Sequence, residues 1–217
     1  MNTTENKAFA DSEKYLEAMA AFSFFNKILL DAPEREYINT VKENAALFDE
    51  WCFSDSEESK TGLELLKNYL KNYKDEDFTE LLGNFNRLFI GPGHLFAPPW
   101  ESVYKEQDKT IFGEATLKVR GRYRKFGLEI NNLNREPDDH IAFECAYLNY
   151  LCAASAAAED STVEKEEIIS FLKEHPSTWV EEFTDNMIEN SVTDFYKGIA
   201  QMLRGAIKEA LTGLSCR

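Results

Sequence analysis

The sequence predicts an all-α protein, a single-domain helical bundle of about ten helices with one apolar loop rich in proline and glycine. Apolar residues recur at spacings of three and four along nearly the whole chain, which is the helical period. No segment alternates apolar and polar residues as a half-buried strand does, and no repeat or flexible linker divides the 217 residues. A chain of this length fits one domain with a sizeable core, so we expect residues 1–217 to form a single unit.

The first half of the chain is predicted to contain four helices. The first runs from about Asp11 or Ser12 to Leu30, and Pro33 then opens the second, since proline is tolerated in a first turn. A polar loop at 54–59 follows the second helix. The apolar positions of the second, third and fourth helices are, in order, Tyr37, Val41, Ala45, Phe48 and Trp51; Leu63, Leu66 and Leu70; and Phe78, Leu81, Phe85, Leu88 and Phe89.

The helical pattern breaks at residues 91–100, which read Gly-Pro-Gly-His-Leu-Phe-Ala-Pro-Pro-Trp. Three prolines and two glycines exclude a helix interior, yet the segment is apolar, which is unusual for a surface connection. A helix is predicted again at about 114–126, followed by an irregular stretch at 127–136 that holds Asn131, Asn132 and Asn134. Further helices are expected from Pro137 to about Ala158 and over about 162–174, 177–190 and 192–211, with a break at 175–176.

The charge of the chain limits its partners. Acidic residues outnumber basic ones 39 to 24, a formal net charge of −15, which repels nucleic acid and anionic lipid and attracts cationic ligands. We therefore expect no nucleic-acid partner, and the one basic stretch, residues 118–125, is expected to pair with neighbouring carboxylates. No signal peptide and no run of ~18 apolar residues is present, which predicts a cytoplasmic protein without stable membrane insertion.

The thiols and the motif search point away from catalysis and metal binding. Cys52, Cys145, Cys152 and Cys216 form no CxxC pair, although Cys145 and Cys152 are seven apart and should share a buried helix face. No phosphate loop, dinucleotide fingerprint, nucleophile elbow or HExxH motif occurs. We therefore expect no enzymatic activity, no metal site and no cofactor.

Two segments are candidates for ligand binding. Residues 136–140, Glu-Pro-Asp-Asp-His, crowd three carboxylates and an imidazole at a predicted helix start, which suits either helix capping or a guanidinium ligand. The loop at 91–100 suits either a plug over the core or the wall of a groove for an apolar peptide. A metal-dependent hydrolase that uses Glu136, Asp139, His140 and Glu144 is a third reading, because His140 and Glu144 are four apart.

Four blocks in sequence order, residues 88–92, 97–104, 136–140 and 171–183, together resemble the TorD/DmsD/NarJ family of redox enzyme maturation chaperones. Their order and spacing are similar to the DmsD branch. There are departures: Phe85 and Gly93 stand where tryptophans are usual, and Glu101 stands where a glycine is usual.

The resemblance implies an all-helical chaperone domain. It also implies binding of the twin-arginine signal peptide of a molybdoenzyme catalytic subunit, so that export waits for cofactor insertion. The implied peptide-binding residues are Leu88, Phe89, Pro99, Trp100, Glu136, Pro137, Asp139 and His140. Glu136 and Asp139 would engage the arginines, with His140 setting the local charge. The resemblance allows a monomer or a domain-exchanged dimer. The alternative is a helical adaptor or assembly factor for another complex, without leader-peptide binding.

Overall fold

The computed structural model describes residues 3–131, 136–158 and 160–214, and this part of the chain contains ten α-helices and no strand. The helices are α1 Thr3–Leu30, α2 Arg35–Glu43, α3 Glu57–Asn72, α4 Phe78–Phe85, α5 Glu101–Lys105, α6 Glu114–Lys125, α7 Ile141–Ala157, α8 Thr162–Glu174, α9 Val180–Asn190 and α10 Asp194–Gly213. Short 3₁₀ turns lie at Ala45–Glu50, Asp75–Asp77 and Pro176–Thr178, and a π turn lies at Asn86–Ile90. The all-α prediction is confirmed.

Two long helix pairs organise the bundle. The helix α1 packs along α7, and α3 packs along α10. The helix α8 packs against α7, and α9 packs against α10. The α3–α10 pair is unusually close, because Gly62 and Gly198 face each other where the helices cross. A Cβ at Gly198 would lie 2.7 Å from the carbonyl oxygen of Gly62. The buried apolar residues form one core that extends from α1 to α10. None of the helices in the described ranges is long and apolar enough to cross a membrane.

Three predicted helix boundaries in the first half were wrong. The predicted polar loop at 54–59 overlaps the start of α3 at Glu57. The helix α1 begins at Thr3, earlier than the predicted Asp11 or Ser12. The second helix is not continuous: α2 ends at Glu43, and a 3₁₀ turn begins at Ala45. Asn44 causes the break, because its side-chain amide donates to the carbonyl oxygen of Thr40 at 2.8 Å and competes with the helical hydrogen bonds.

The start of α7 was also predicted incorrectly. The helix begins at Ile141, four residues after Pro137, so Pro137 and the two aspartates are not in its first turn. His140 is the N-cap residue, and its Nδ1 accepts a hydrogen bond from the backbone N–H of Ala142 at 3.1 Å. Residues 137–140 form a turn in which the N–H of His140 donates to the carbonyl oxygen of Pro137. Asn132 and Asn134 of the predicted irregular stretch lie outside the described residues.

The predicted pairing of the basic stretch is confirmed. The ion pairs are Lys118 with Glu114, Arg120 with Asp138, Arg122 with Glu167 and Glu174, Arg124 with Glu129, and Lys125 with Glu167. The cationic side chains of α6 are therefore matched by neighbouring acids. Cys145 and Cys152 are free thiols buried on α7, as predicted. Cys216 lies outside the described residues.

Candidate functional site

The two segments that the sequence singled out lie side by side. The backbone N–H of Ile141 donates to the carbonyl oxygen of Pro99 at 2.8 Å, and the N–H of Glu101 donates to that of Asp139 at 3.0 Å. These two bonds form a single antiparallel bridge between Trp100 and His140. We call residues 136–140 the acidic block. The end of the apolar loop and the acidic block therefore form one unit, although 40 residues separate Trp100 from His140 in the sequence.

Asp139 is a fully buried residue that holds this unit together. One carboxylate oxygen accepts a hydrogen bond from the backbone N–H of Ser102 at 2.8 Å, and the other accepts one from the hydroxyl of Thr116 at 2.6 Å. Asp139 thus ties the start of α5 to α6. The prediction that Asp139 contacts an arginine of the ligand does not fit this burial, since both oxygens already have internal donors.

Asp138 binds a guanidinium, but the guanidinium belongs to the chain itself. Arg120 donates to both carboxylate oxygens of Asp138 from Nε at 3.1 Å and to one of them from its terminal nitrogen at 2.7 Å. The carboxylate of Asp138 raises the pKa of Arg120. Two of the three acids of the block are therefore occupied by internal partners.

His140 is a neutral side chain in this environment. It is buried, and burial lowers the pKa of its imidazole to about 3. At neutral pH the ring carries no charge, and its Nδ1 lone pair caps α7. The predicted role of His140 in setting the local charge therefore does not fit. Its ring lies 6.1 Å from that of Trp100 in an edge-on arrangement, so it supports the indole by packing.

Glu136 is the acid of the block that remains partly accessible. One carboxylate oxygen accepts a hydrogen bond from the indole N–H of Trp100 at 2.6 Å. Burial raises the pKa of Glu136, the bond from Trp100 lowers it, and the negative charges of Asp139 and Asp31 raise it further, so that the pKa lies above its ordinary value. The indole orients the carboxylate of Glu136, which forms no ion pair with a cationic side chain of residues 3–131, 136–158 or 160–214.

Glu136 lies at the edge of a groove between the end of α1, the segment after α6 and the outer face of α7. The groove encloses about 490 Å³ and is mostly apolar. Its lining residues are Leu30, Asp31, Tyr123, Leu128, Glu129, Ile130, Asn131, Glu136, Phe143, Ala146, Tyr147 and Tyr150. We call it the α1–α7 groove. Asp31 and Glu129 are exposed acids within it, although Glu129 also forms an ion pair with Arg124 at 3.5 Å.

The remaining predicted site residues are inside the protein. Leu88 is 0% and Phe89 is 4% exposed. Phe89 packs against Phe85, Phe183 and Tyr196, with ring centroids 5.0–6.2 Å apart. The structure thus places this pair in the core and does not bring it to the α1–α7 groove. Pro99 and Pro137 are buried and shape the backbone beside Trp100 and Glu136.

Sequence reasoning missed the groove itself. Its apolar lining comes from α7 positions such as Phe143 and Tyr150, which a helical pattern assigns to the surface or to the core without showing a concavity. Asp31, which directly follows the predicted end of the first helix, was not among the predicted site residues. The available signal was that Asp31 follows directly after a helix that ends in the apolar residue Leu30, so an acid lies next to apolar surface at that helix end.

The chain was compared with known proteins. The family model described as nitrate reductase delta subunit matches residues 54–185. The Tat proofreading chaperone DmsD of Salmonella typhimurium is 32% identical over 120 residues, which is 55% of each chain. The chaperone protein TorD of Vibrio vulnificus is 28% identical over 127 residues, 57% of this chain and 59% of TorD. The matches thus span little more than half the length of these curated relatives.

A solved structure has the same fold. It is a protein from Archaeoglobus fulgidus assigned as a redox enzyme maturation protein, and it aligns with a TM-score of 0.51 over 90% of this chain and 93% of its own. The two sequences are 20% identical, so this likeness concerns the arrangement of helices.

Proposed function

We propose that this chain, which belongs to the nitrate reductase delta subunit (TorD/DmsD/NarJ) family, is a chaperone that binds the twin-arginine leader peptide of a molybdenum-cofactor oxidoreductase catalytic subunit. The similarity to the Tat proofreading chaperone DmsD and to the chaperone protein TorD supports this class. The chaperone acts in the cytoplasm, because the leader is present there before export, and it delays export until folding and cofactor insertion are complete. It binds its client and catalyses no reaction.

The observation that carries the proposal is the pairing of carboxylates with apolar surface in the α1–α7 groove. A twin-arginine leader joins two guanidinium groups to an apolar stretch. Guanidinium groups form their strongest contacts with carboxylates, which accept two parallel hydrogen bonds. Glu136 and Asp31 supply two such carboxylates close enough for the charge of Asp31 to affect the pKa of Glu136.

The apolar part of the leader has a matching surface beside these acids. Leu128, Ile130 and Phe143 are half-buried in the α1–α7 groove and leave apolar area that a peptide would cover. Removal of apolar area from water contributes roughly 25 cal/mol per Å². Trp100 lies one hydrogen bond from Glu136 and extends the surface. In this arrangement Asp139, Pro137, Pro99 and His140 position the binding residues, and Leu88 and Phe89 support them from the core.

Calorimetric titration with leader peptides of molybdoenzymes from the same genome tests the proposal. We expect Glu136→Gln and Asp31→Asn each to weaken binding about 5- to 50-fold, which corresponds to roughly 1–2.3 kcal/mol for the loss of a charged hydrogen bond. Glu64→Gln is the matched control, because Glu64 is an exposed acid on α3 outside the groove and its loss changes the net charge equally.

The peptide provides a second control. Replacement of both arginines by lysines keeps the charge and removes the bidentate geometry, so binding should weaken. If wild-type protein binds none of the leaders, the proposed function is wrong. If the leaders bind but neither Glu136→Gln nor Asp31→Asn differs from Glu64→Gln, the function stands and the site lies elsewhere on the molecule.

A further inference from the structure

Three buried side chains outside the α1–α7 groove converge in the core. Glu101 begins α5, Glu144 lies in the first turn of α7, and His175 follows α8. They are 1%, 0% and 4% exposed. One potential metal-ligating atom from each, two carboxylate oxygens and one imidazole nitrogen, lies within 4.8 Å of the other two. Three separate elements thus bring together three groups that are seldom fully buried.

The contacts of Glu101 are satisfied. One oxygen of its carboxylate lies 2.8 Å from Nζ of Lys105, and the other lies 2.8 Å from Nδ1 of His175. Burial raises the pKa of Glu101, but His175 and Lys105 lower it by more, so the pKa lies below its ordinary value. Glu101 is therefore a carboxylate with one oxygen directed at the histidine and the other at the lysine.

Glu144 is the residue that this arrangement leaves unexplained. Neither of its carboxylate oxygens has a hydrogen-bond partner among the described residues, although the side chain is completely buried. An unsatisfied buried polar group costs roughly 1–3 kcal/mol, and more when it is charged. Native proteins hold few such groups, and a specific one calls for a bound partner or a role. The side chain of Glu144 faces Glu101 and His175, with Trp179 nearby. Burial, together with the negative charges of Glu101 and Asp139, raises the pKa of Glu144 well above its ordinary value.

We propose that Glu101, Glu144 and His175 form a buried binding site for one divalent transition-metal cation of the zinc type. Two carboxylate oxygens and one imidazole nitrogen are a donor set that Zn²⁺ accepts, whereas Mg²⁺ and Ca²⁺ favour oxygen donors alone. The cation satisfies Glu144 and offsets the two negative charges. Lys105 remains on the outer oxygen of Glu101 and orients that ligand, as outer hydrogen bonds do at metal sites.

The separations suit such a cation after a small adjustment. Ligands at about 2.1 Å from a tetrahedral zinc are roughly 3.4 Å apart. The distance of 2.8 Å between Nδ1 of His175 and the nearer carboxylate oxygen of Glu101 is close to this value. All three candidate ligand atoms lie within 4.8 Å of one another, so the side chains would have to move by about 1 Å or less to reach it. The inference does not depend on leader binding, and it revises the sequence expectation that the chain holds no metal site.

Metal analysis of tag-free protein purified without chelator tests the site, together with titration of metal-free protein with Co²⁺. We expect about one equivalent of bound cation and weak visible absorption bands typical of oxygen and nitrogen ligands. Strong thiolate-to-cobalt bands would instead place the ion on cysteines and overturn the proposal. The variant Glu144→Gln keeps the size of the side chain, and we expect it to weaken binding at least tenfold, about 1.4 kcal/mol. His94→Asn is the control, because His94 is an exposed histidine.

A second measurement keeps the test decisive if Glu144→Gln folds poorly. Zn²⁺ should raise the melting temperature of metal-free wild-type protein, while His175→Asn should lose this increase. The competing occupant is a proton shared by Glu101 and Glu144, which gives the infrared band of a buried carboxylic acid. That band in wild-type protein, absent from Glu144→Gln and unchanged by added Zn²⁺, would overturn the proposal. Binding of less than about a tenth of an equivalent would do the same.

Discussion

The three acids of the acidic block have the same chemistry but differ in how accessible their side chains are to solvent. Asp138 and Asp139 are both almost completely buried and fully hydrogen-bonded, whereas Glu136 is half-buried and held by Trp100. A buried carboxylate with good internal donors contributes to the position of its neighbours, and only an accessible one can accept a new cation at small cost. In the proposed function, therefore, Glu136 makes the direct contact, and the two aspartates fix where it lies.

The first prediction concerns the pH dependence of leader binding. The pKa of Glu136 is raised in the free protein, mainly by burial, and a bound guanidinium favours its ionised form. Affinity should thus be full above this raised pKa and should fall as the pH drops through it, at a higher pH than for an exposed glutamate. Titrations between pH 8 and pH 5 measure this. Glu136→Gln should bind more weakly with a nearly flat profile, and an equally steep profile in that variant would contradict the assignment.

The second prediction concerns stability and His140. Burial lowers its pKa to about 3, while an unfolded histidine has a pKa of about 6.5. Between these values the unfolded state binds more protons, so this contribution to stability is present above pH 6.5 and is lost as the pH falls towards 3. Its loss between pH 6.5 and 4.5 amounts to about 2–3 kcal/mol.

The variant His140→Asn isolates this effect, because asparagine caps helices without titrating. Urea unfolding at several pH values should show that the free-energy difference between wild type and His140→Asn shrinks as the pH falls from 6.5 to 4.5. Parallel curves over this range would mean that His140 is not buried as a neutral ring.

At the scale of elements, the sequence predicted the helices well and their ends less well. Apolar periodicity is set by burial over many residues, which is why the bounds of α6 and α8 were anticipated closely. Ends depend on single side chains. The break after α2 follows from the side-chain hydrogen bond of Asn44, and the delayed start of α7 follows from capping by His140. Proline before α7 was compatible with either start, since it is as common in turns as in first helical positions.

The third prediction tests whether Asp139 acts by holding α5 and α6 together. Thr116 is buried on α6, does not line the α1–α7 groove and donates to Asp139 at 2.6 Å. Thr116→Val leaves one oxygen of Asp139 without its donor, so we expect a loss of about 1–3 kcal/mol in the free energy of unfolding. Leader affinity should also decrease severalfold, because the loss of this contact loosens the bridge that positions Trp100 and Glu136.

Thr61→Val is the matched control for this change. The hydroxyl of Thr61 is exposed and donates only to the carbonyl oxygen of Glu57 in its own helix. The free energy of unfolding of Thr61→Val should stay within about 0.5 kcal/mol of the wild-type value. Unchanged leader affinity in a clearly destabilised Thr116→Val variant would show that the Asp139 contact does not position the groove.

The fourth prediction concerns the crossing of α3 and α10. An added Cβ at Gly198 meets the backbone of Gly62 at 2.7 Å, so Gly198→Ala forces the helices apart. Overpacking of this kind typically costs about 1–3 kcal/mol, which exceeds the gain of up to about 1 kcal/mol from the better helix propensity of alanine. Gly121→Ala on α6 has open space around its new Cβ and should gain stability. Thermal unfolding of both variants checks the contrast, and equal effects would contradict the close crossing.

Across the whole molecule, the sequence identified the two segments of the candidate site but not the surface that they form. The bridge between Trp100 and His140 joins two blocks identified before the structure. The α1–α7 groove was not anticipated, because it depends on the distance between α1 and α7. The apolar periodicity of a single helix contains no information on that distance. The acid Asp31 joins Glu136 only through this packing. Part of the candidate site is therefore formed by contacts between segments that are distant in the sequence, and local sequence patterns do not predict these contacts.

The fifth prediction concerns the charge of the whole protein. A net charge of −15 produces a field that attracts a cationic leader, and salt screens it, with a Debye length of about 10 Å at 0.1 M and 3 Å at 1 M. Affinity for a twin-arginine leader should fall about tenfold or more between 0.05 and 0.5 M NaCl, mostly through slower association. A leader with both arginines replaced by alanine should bind weakly and show a much smaller salt dependence, since only its apolar contacts remain. Equal salt dependence for the two peptides would mean that the carboxylates of the groove do not select the arginines.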